Sequence, residues 1–325
     1  MFVKSIVLAL CVLGFPAAGA DFPEAAISNG VIKAKIYLPD AENGYYRATR
    51  FDWSGQIPSL EYKGHTYFGE WNPAPYDPKL HDAITGPVEE FLTNGMGLGY
   101  AEAKPGGTFV KIGVGVIRKP EEARFQQFKT YEIADGGEWK ITRHGDSIEF
   151  NQKVKDPNSG YGYDYTKVVR LVSGKPELVL EHRLRNTGSK EIESDVYDHN
   201  FYMLDNQPTG PEIVVKFPFD VHATRGLGDL AETRGKELVY LRELQRGQSV
   251  QSDLTGFGTD VKDYNIAVEN RKTGAGVRQT ANRPLARINY WSIRTTACPE
   301  AYIHMAIDPG KEFTWKIAYE LYVSK

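Results

Sequence analysis

The chain is predicted to be all-β, a sandwich or barrel of antiparallel strands. Three observations carry that expectation. Short runs rich in β-branched and aromatic residues recur along the 325 residues, turns with glycine and proline separate them, and helical periodicity is thin. An α/β fold would instead interleave its strands with long amphipathic helices.

The first twenty residues are set apart from that pattern. A short basic start through Lys4 leads into an apolar run from Ser5 to Gly14, and Ala18-Gly19-Ala20 places small residues before Asp21. This reads as a cleavable secretory signal over 1–20, with an apolar run too short to cross a bilayer. One domain, Asp21 to Lys325, is then expected in the periplasm or outside the cell. Cys11 lacks the small preceding residue of a lipoprotein site, so no lipid anchor is expected. No other segment holds about 18 consecutive apolar residues, so no membrane span is expected either.

Gly30 to Leu38 opens the strand pattern, with Val31, Ile32, Ala34, Ile36 and Leu38. Trp71 to Gly99 carries four prolines and several glycines with His81, Asp82, Glu89 and Glu90, and reads as a long loop forming one wall of a binding site. Thr108 to Ile117 is rich in β-branched residues and reads as one strand. Pro120 to Phe128 is expected to form one or two helical turns opened by proline. Trp139 to Ile141 and Ser147 to Val154 suggest a hairpin around His144-Gly145-Asp146. Tyr165 to Val172 and Glu177 to Arg185 suggest another through Ser173-Gly174-Lys175-Pro176. Leu227 to Leu238 is a second, glycine-interrupted helical candidate. Phe313, Trp315, Ile317, Tyr319 and Leu321 make the clearest one-sided strand, after a turn at Asp308-Pro309-Gly310-Lys311.

Composition narrows the chemistry. The net charge is -3 with both signs interspersed, and no basic stripe marks a nucleic-acid partner. The 19 tyrosines suit ligands with apolar faces and polar edges, sugars among them. Past residue 20 only Cys298 remains, so no intramolecular disulfide is expected. The seven histidines form no HExxH or Cys/His cluster, and neither a metal nor an organic cofactor is expected. There is no Gly-x-Ser-x-Gly elbow, Walker loop or dinucleotide fingerprint.

The densest polar and aromatic stretch is Asp195 to Tyr202. At period two, Tyr197, His199, Phe201 and Met203 share one face. An imidazole flanked by aromatic rings suits a pocket that stacks a sugar and moves a proton, and it equally suits a packed core. Arg47 and Arg50, three positions apart, point to opposite faces of a regular strand. One of them then reaches a concave face, where it can grip a carboxylate or phosphate. Glu89 and Glu90 are candidates for bonding sugar hydroxyls. His182, alternating with Leu178, Leu180 and Leu184, reads as inward-facing core.

Three segments carry a resemblance. Tyr45-Tyr46-Arg47-Ala48-Thr49-Arg50-Phe51-Asp52-Trp53-Ser54-Gly55, followed by Leu60-Glu61-Tyr62-Lys63-Gly64, resembles the opening of the galactose mutarotase-like (aldose 1-epimerase-like) superfamily. His199-Asn200-Phe201 resembles its histidine motif, and Asp308-Pro309-Gly310-Lys311-Glu312 with the strand after it resembles its closing pair. The resemblance implies a β-supersandwich with a concave sugar-binding face and cofactor-free interconversion of sugar anomers. It implies His199 as general acid. It places the base shortly before the closing turn, where Glu300 stands, although Cys298-Pro299-Glu300-Ala301 departs from the family's Glu-Thr-Gln pattern. The family's assisting histidine has no aligned counterpart here, and His81 is the loop histidine at a plausible distance along the chain. Arg47, Arg50, Glu89, Tyr197 and Trp291 complete the expected ligand contacts, and the expected partner is a monosaccharide or glycan end. Two other readings stay open: a carbohydrate-binding module without catalysis, and a uronate polysaccharide lyase of sandwich type that uses Tyr197 or a neighbour as base.

Overall fold

A computed structural model describes residues 22–72 and 76–324, and the expected signal segment lies outside them. Alternating apolar residues bury one face of each long strand, and the molecule answers by packing strands face to face. The Glu312–Val323 strand shows this best: Trp315, Ile317, Tyr319 and Leu321 are buried, while Lys316 and Glu320 are exposed. It pairs with Glu177–Asn186 on one side and Ala275–Ala281 on the other.

These three strands lie within a ten-stranded sheet. Beyond Ala275–Ala281 it continues through Asn265–Asn270, Ile213–Lys216, Glu237–Tyr240 and Ala231–Arg234. Beyond Glu177–Asn186 it continues through Tyr161–Leu171, Ser147–Asp156 and Glu138–Arg143. A six-stranded sheet runs His222–Ala223, Ser249–Thr255, Arg287–Ile293, Thr296–Ile307, Ile192–His199, Val88–Leu92. Smaller sheets of four and three strands pack alongside, and the described ladders are antiparallel throughout. Leu180, Ile317 and Val277 of the ten-stranded sheet share one apolar cluster with Val196, Ile303 and Ile288 of the six-stranded one. Burying each such side chain contributes about 1.5–3 kcal/mol.

The two predicted hairpins form, with strands a few residues longer than the sequence suggests. Four expectations are corrected. Thr108 to Ile117 is a hairpin, Thr108–Lys111 with Gly115–Arg118, because Gly113 takes a φ of 80° and reverses the chain. Residues 120–128 hold turns and bends without a helix. Leu227 to Leu238 supplies the hairpin Ala231–Arg234 with Glu237–Tyr240, turned at Gly235. The 71–99 loop contains the edge strand Val88–Leu92, whose alternation is hidden because its first four residues are all buried. Among the described residues the helical elements are two single 3₁₀ turns, Leu204–Asn206 and Val261–Asp263, and no helix is long and apolar enough to cross a membrane.

Candidate active site

Period-two alternation gives the six-stranded sheet two different faces. One joins the apolar cluster between the sheets; the other lines a cavity of about 540 Å³. Register assembles the cavity floor. Tyr197 lies opposite both Glu90 and Tyr302, Tyr302 opposite Arg287, Glu300 opposite Asn289, and Trp291 opposite Gln251. Loops supply the walls: Arg50 from one, Trp71, His81 and Asp82 from a second, Gln127 and Phe128 from a third.

His199 and Glu300 meet at the centre, Nε2 to Oε1 at 3.3 Å. The imidazole stacks on Phe201 at a centroid distance of 3.8 Å, and Trp291 and Phe51 stand edge-on to it. Phe201 reaches that position through a φ of 45°, which turns the chain aside just after the strand. Its amide donates to Cys298 Sγ at 3.1 Å. Burial, reinforced by the Arg50 charge, holds His199 well below the usual histidine range, so the ring is neutral near pH 7. Burial pushes Glu300 up to about 7, against the Asn289 amide that donates to its Oε2 at 2.7 Å. A neutral imidazole and a carboxyl poised near neutrality can pass protons to and from a ligand resting on them.

A second group orders one side of the cavity. Arg50 Nε donates to Glu90 Oε2 at 2.8 Å and its Nη2 donates to the Tyr197 hydroxyl at 3.2 Å. Tyr197 also donates to Glu90, and Gln127 donates to Glu90 Oε1 at 2.8 Å. Burial works to raise Glu90, but the Arg50 and Lys111 charges and these donors prevail, and it stays ionised. The Arg50 guanidinium lies over Phe51 and Phe128. His81 stacks loosely on Phe128, and burial lowers its ionisation.

The structure thus brings His199, Glu300, Arg50, His81, Tyr197 and Trp291 to one cavity and leaves out two of the predicted contacts. Arg47 does not line it. Arg47 lies outside any strand and residues 48–50 are bends, so strand geometry does not govern where the two arginines point, and Arg47 donates to the Glu42 carbonyl. Glu89 faces the opposite side of its strand, fully buried, bound to Lys167 and to His182 Nε2 at 2.6 Å. Its neighbour Glu90 faces the cavity instead, since one step along a strand exchanges faces. His182 is inward-facing as expected, and is bonded in that buried pair.

Arg287, Asn289, Tyr302 and Gln127 were missed as site residues. The first three had a signal. Arg287-x-Asn289-x-Trp291 and Glu300-x-Tyr302 put polar and aromatic groups at period two in strands whose alternate residues are apolar or small. Gln127 had none, because only the path of its loop brings it near. Among the described residues no group of three or more His, Cys, Asp or Glu side chains is arranged for a metal ion.

Many solved structures share this architecture. This is the galactose mutarotase-like fold. The Slr1438 protein of Synechocystis sp. PCC 6803 matches over 100% of both chains, with a TM-score of 0.58 and 12% identity. A galactose mutarotase-like protein of Clostridium acetobutylicum matches 92% of this chain and 94% of its own, with a TM-score of 0.55 and 14% identity. Galactose 1-epimerase of Lactobacillus acidophilus NCFM matches 93% of this chain and 95% of its own, with a TM-score of 0.52 and 9% identity. No protein-family model and no curated protein matches the chain. At such identities the mutarotase-like fold is what the similarity establishes, and roles must be argued from the cavity itself.

Proposed function

We propose that this protein is an exported aldose 1-epimerase-like isomerase that binds a monosaccharide or glycan end in the concave cavity and interconverts its anomers. The observation that carries the proposal is the buried contact of His199 with Glu300 on the cavity floor, in a cavity also lined by Trp71, Trp291, Tyr197 and Tyr302. Ionised Glu300 accepts the proton of the anomeric hydroxyl. The Nε2–H of the neutral His199 ring hydrogen-bonds to the ring oxygen as the C1–O bond opens, and the proton that Glu300 took up is delivered to that oxygen, so neither side chain ends in a changed protonation state. The aldehyde rotates, and the reverse transfers close the ring on its other face. Trp291 offers an apolar platform, and Arg50, fixed by Glu90, offers a donor to hydroxyl oxygens. The export reading is supported by the basic start, apolar run and small residues of 1–20.

Exchange between α and β anomers, followed by NMR with a panel of sugars, tests the activity. The protein is expected to accelerate exchange above the spontaneous rate, and His199→Ala is expected to remove about 10²–10⁴-fold of that acceleration with an unchanged circular dichroism spectrum. Ligand-induced shifts without exchange would replace the isomerase with a binding module. Release of an unsaturated, ultraviolet-absorbing product would replace it with a lyase.

A further inference from the structure

The far edge of the cavity carries more positive charge than a neutral sugar needs. Three arginines line the cavity: Arg50, Arg225 and Arg287. Arg50 is neutralised by Glu90. Arg287 binds Asp253 at 2.7 Å and lies over the Tyr302 ring at 5.0 Å. Arg225 is exposed and has no ion-pair partner among the described residues, although its backbone is well held. Its amide donates to Ser252 Oγ at 3.1 Å, and the preceding amide of Thr224 donates to the Asp253 carbonyl at 2.9 Å. Of the acidic groups lining the cavity, Glu300 belongs to the acid–base pair, and Asp82, in the loop with His81, accepts from Asn72 at 3.0 Å.

The geometry points to an anion-binding subsite formed by Arg225, Arg287 and Gln251, which takes the carboxylate or phosphate of an acidic sugar whose reducing carbon rests on His199 and Glu300. The assignment rests on the sugar-binding reading above and names its substrate class. Spacing supports it. The strand of Gln251 is two steps across the sheet from that of Glu300, about 10 Å at the usual inter-strand separation. The subsite therefore lies beside the reacting carbon at the remove of a ring substituent or a following sugar residue. Guanidinium groups suit it because their planar forks match two oxygens of a carboxylate or phosphate at once. Gln251, one strand in from Arg225, adds an uncharged donor.

Paired ligands test the assignment: galacturonate against galactose, glucose 6-phosphate against glucose, and digalacturonate against digalactose. Affinity is read by titration calorimetry and anomer exchange by NMR. At least one acidic member is expected to bind about tenfold or more tightly than its neutral partner, less so at high salt. Arg225→Gln is expected to cost the acidic member about tenfold more than the neutral one. Asp253→Asn, which removes the carboxylate competing for Arg287, is expected to widen the preference. The winning pair distinguishes carboxylate from phosphate, and a ring substituent from a second residue. Equal affinities within every pair, or equal losses in Arg225→Gln, would overturn the subsite. Tight acidic binding without exchange keeps the subsite and removes the isomerase; neutral exchange without charge preference does the reverse.

Discussion

At the scale of single residues, burial and neighbours alone set apart two histidines and two glutamates, one of each in the cavity and one of each behind the sheet. Glu300 and Glu89 both occupy strands of one sheet, yet Glu300 is pushed up to about 7 and Glu89 is held down at about 2. Burial acts upward on both. Lys167 and the bond from His182 overcome it at Glu89, whereas the ion-pair contact of Glu300 among the described residues is with a histidine kept neutral, and the charges of Arg50 and Arg287 do not offset its burial. If ionised Glu300 is the base, exchange should fall as pH drops through about 7, because protonation removes the acceptor. A rate–pH profile checks this, and Glu300→Gln is expected to lose about 10²–10⁴-fold together with that limb of the profile. A profile flat from pH 5 to 8 would remove Glu300 from the role. His199, Glu300 and Trp291 were legible as candidates in the linear sequence. Arg47 and Glu89 were misplaced, because which face a side chain takes depends on local backbone that composition does not reveal.

At the scale of elements, the Val88–Leu92 strand joins both halves of the design. Its Glu90 serves the cavity, and its Glu89 serves a buried network behind the sheet with Lys167, His182, Asp52 and Asp198. Of the three carboxyl groups there, Glu89 is the one ion-paired with the Lys167 ammonium, which also donates to the Ser54 carbonyl at 2.9 Å. Lys167→Met is expected to destabilise the fold by about 3–5 kcal/mol in urea titrations, since it leaves the buried, ionised Glu89 without its ammonium. The chain enters this strand beside the turn after His199. A Cβ at Gly86 would collide with the Asn200 carbonyl. Gly86→Ala should therefore cost about 1–3 kcal/mol and lower exchange by displacing His199, and unchanged values of both would disprove the coupling. None of this strand was apparent beforehand. An edge strand buried on both faces lacks the alternation by which strands are recognised, and the prolines before it read as loop.

At the scale of the whole molecule, the six-stranded sheet works as a partition, with the cavity on one face and, on the other, an apolar core that holds a buried charged network. The core gives stability a distinctive pH dependence. Burial raises Asp198 to about 8 and Asp52 to about 7, both from an ordinary 3.8. Between about pH 4 and 8 the folded protein therefore holds protons at these two sites that the unfolded chain has released, and their contribution to stability declines as pH rises. His199 and His182, kept neutral by burial, act oppositely over the lower part of that window, so the wild-type curve alone conceals the effect. The difference exposes it. Asp198→Asn is expected to raise Tm more at pH 8 than at pH 5, on a scale of about 2–4 °C per kcal/mol, and a pH-independent difference would refute it. Periodicity, turn chemistry and composition were enough to read an all-β chain, most of its long hairpins and the strand that carries His199, because those signals are local and each strand needs a buried face wherever it finally packs. They were not enough to join Glu300 to His199, to bring Arg225 and Arg287 to one cavity, or to turn Glu89 away from it. Those relations connect residues far apart along the chain, and they arise from the register and order of strands in a sheet, which fold-wide packing selects and no single stretch of sequence contains.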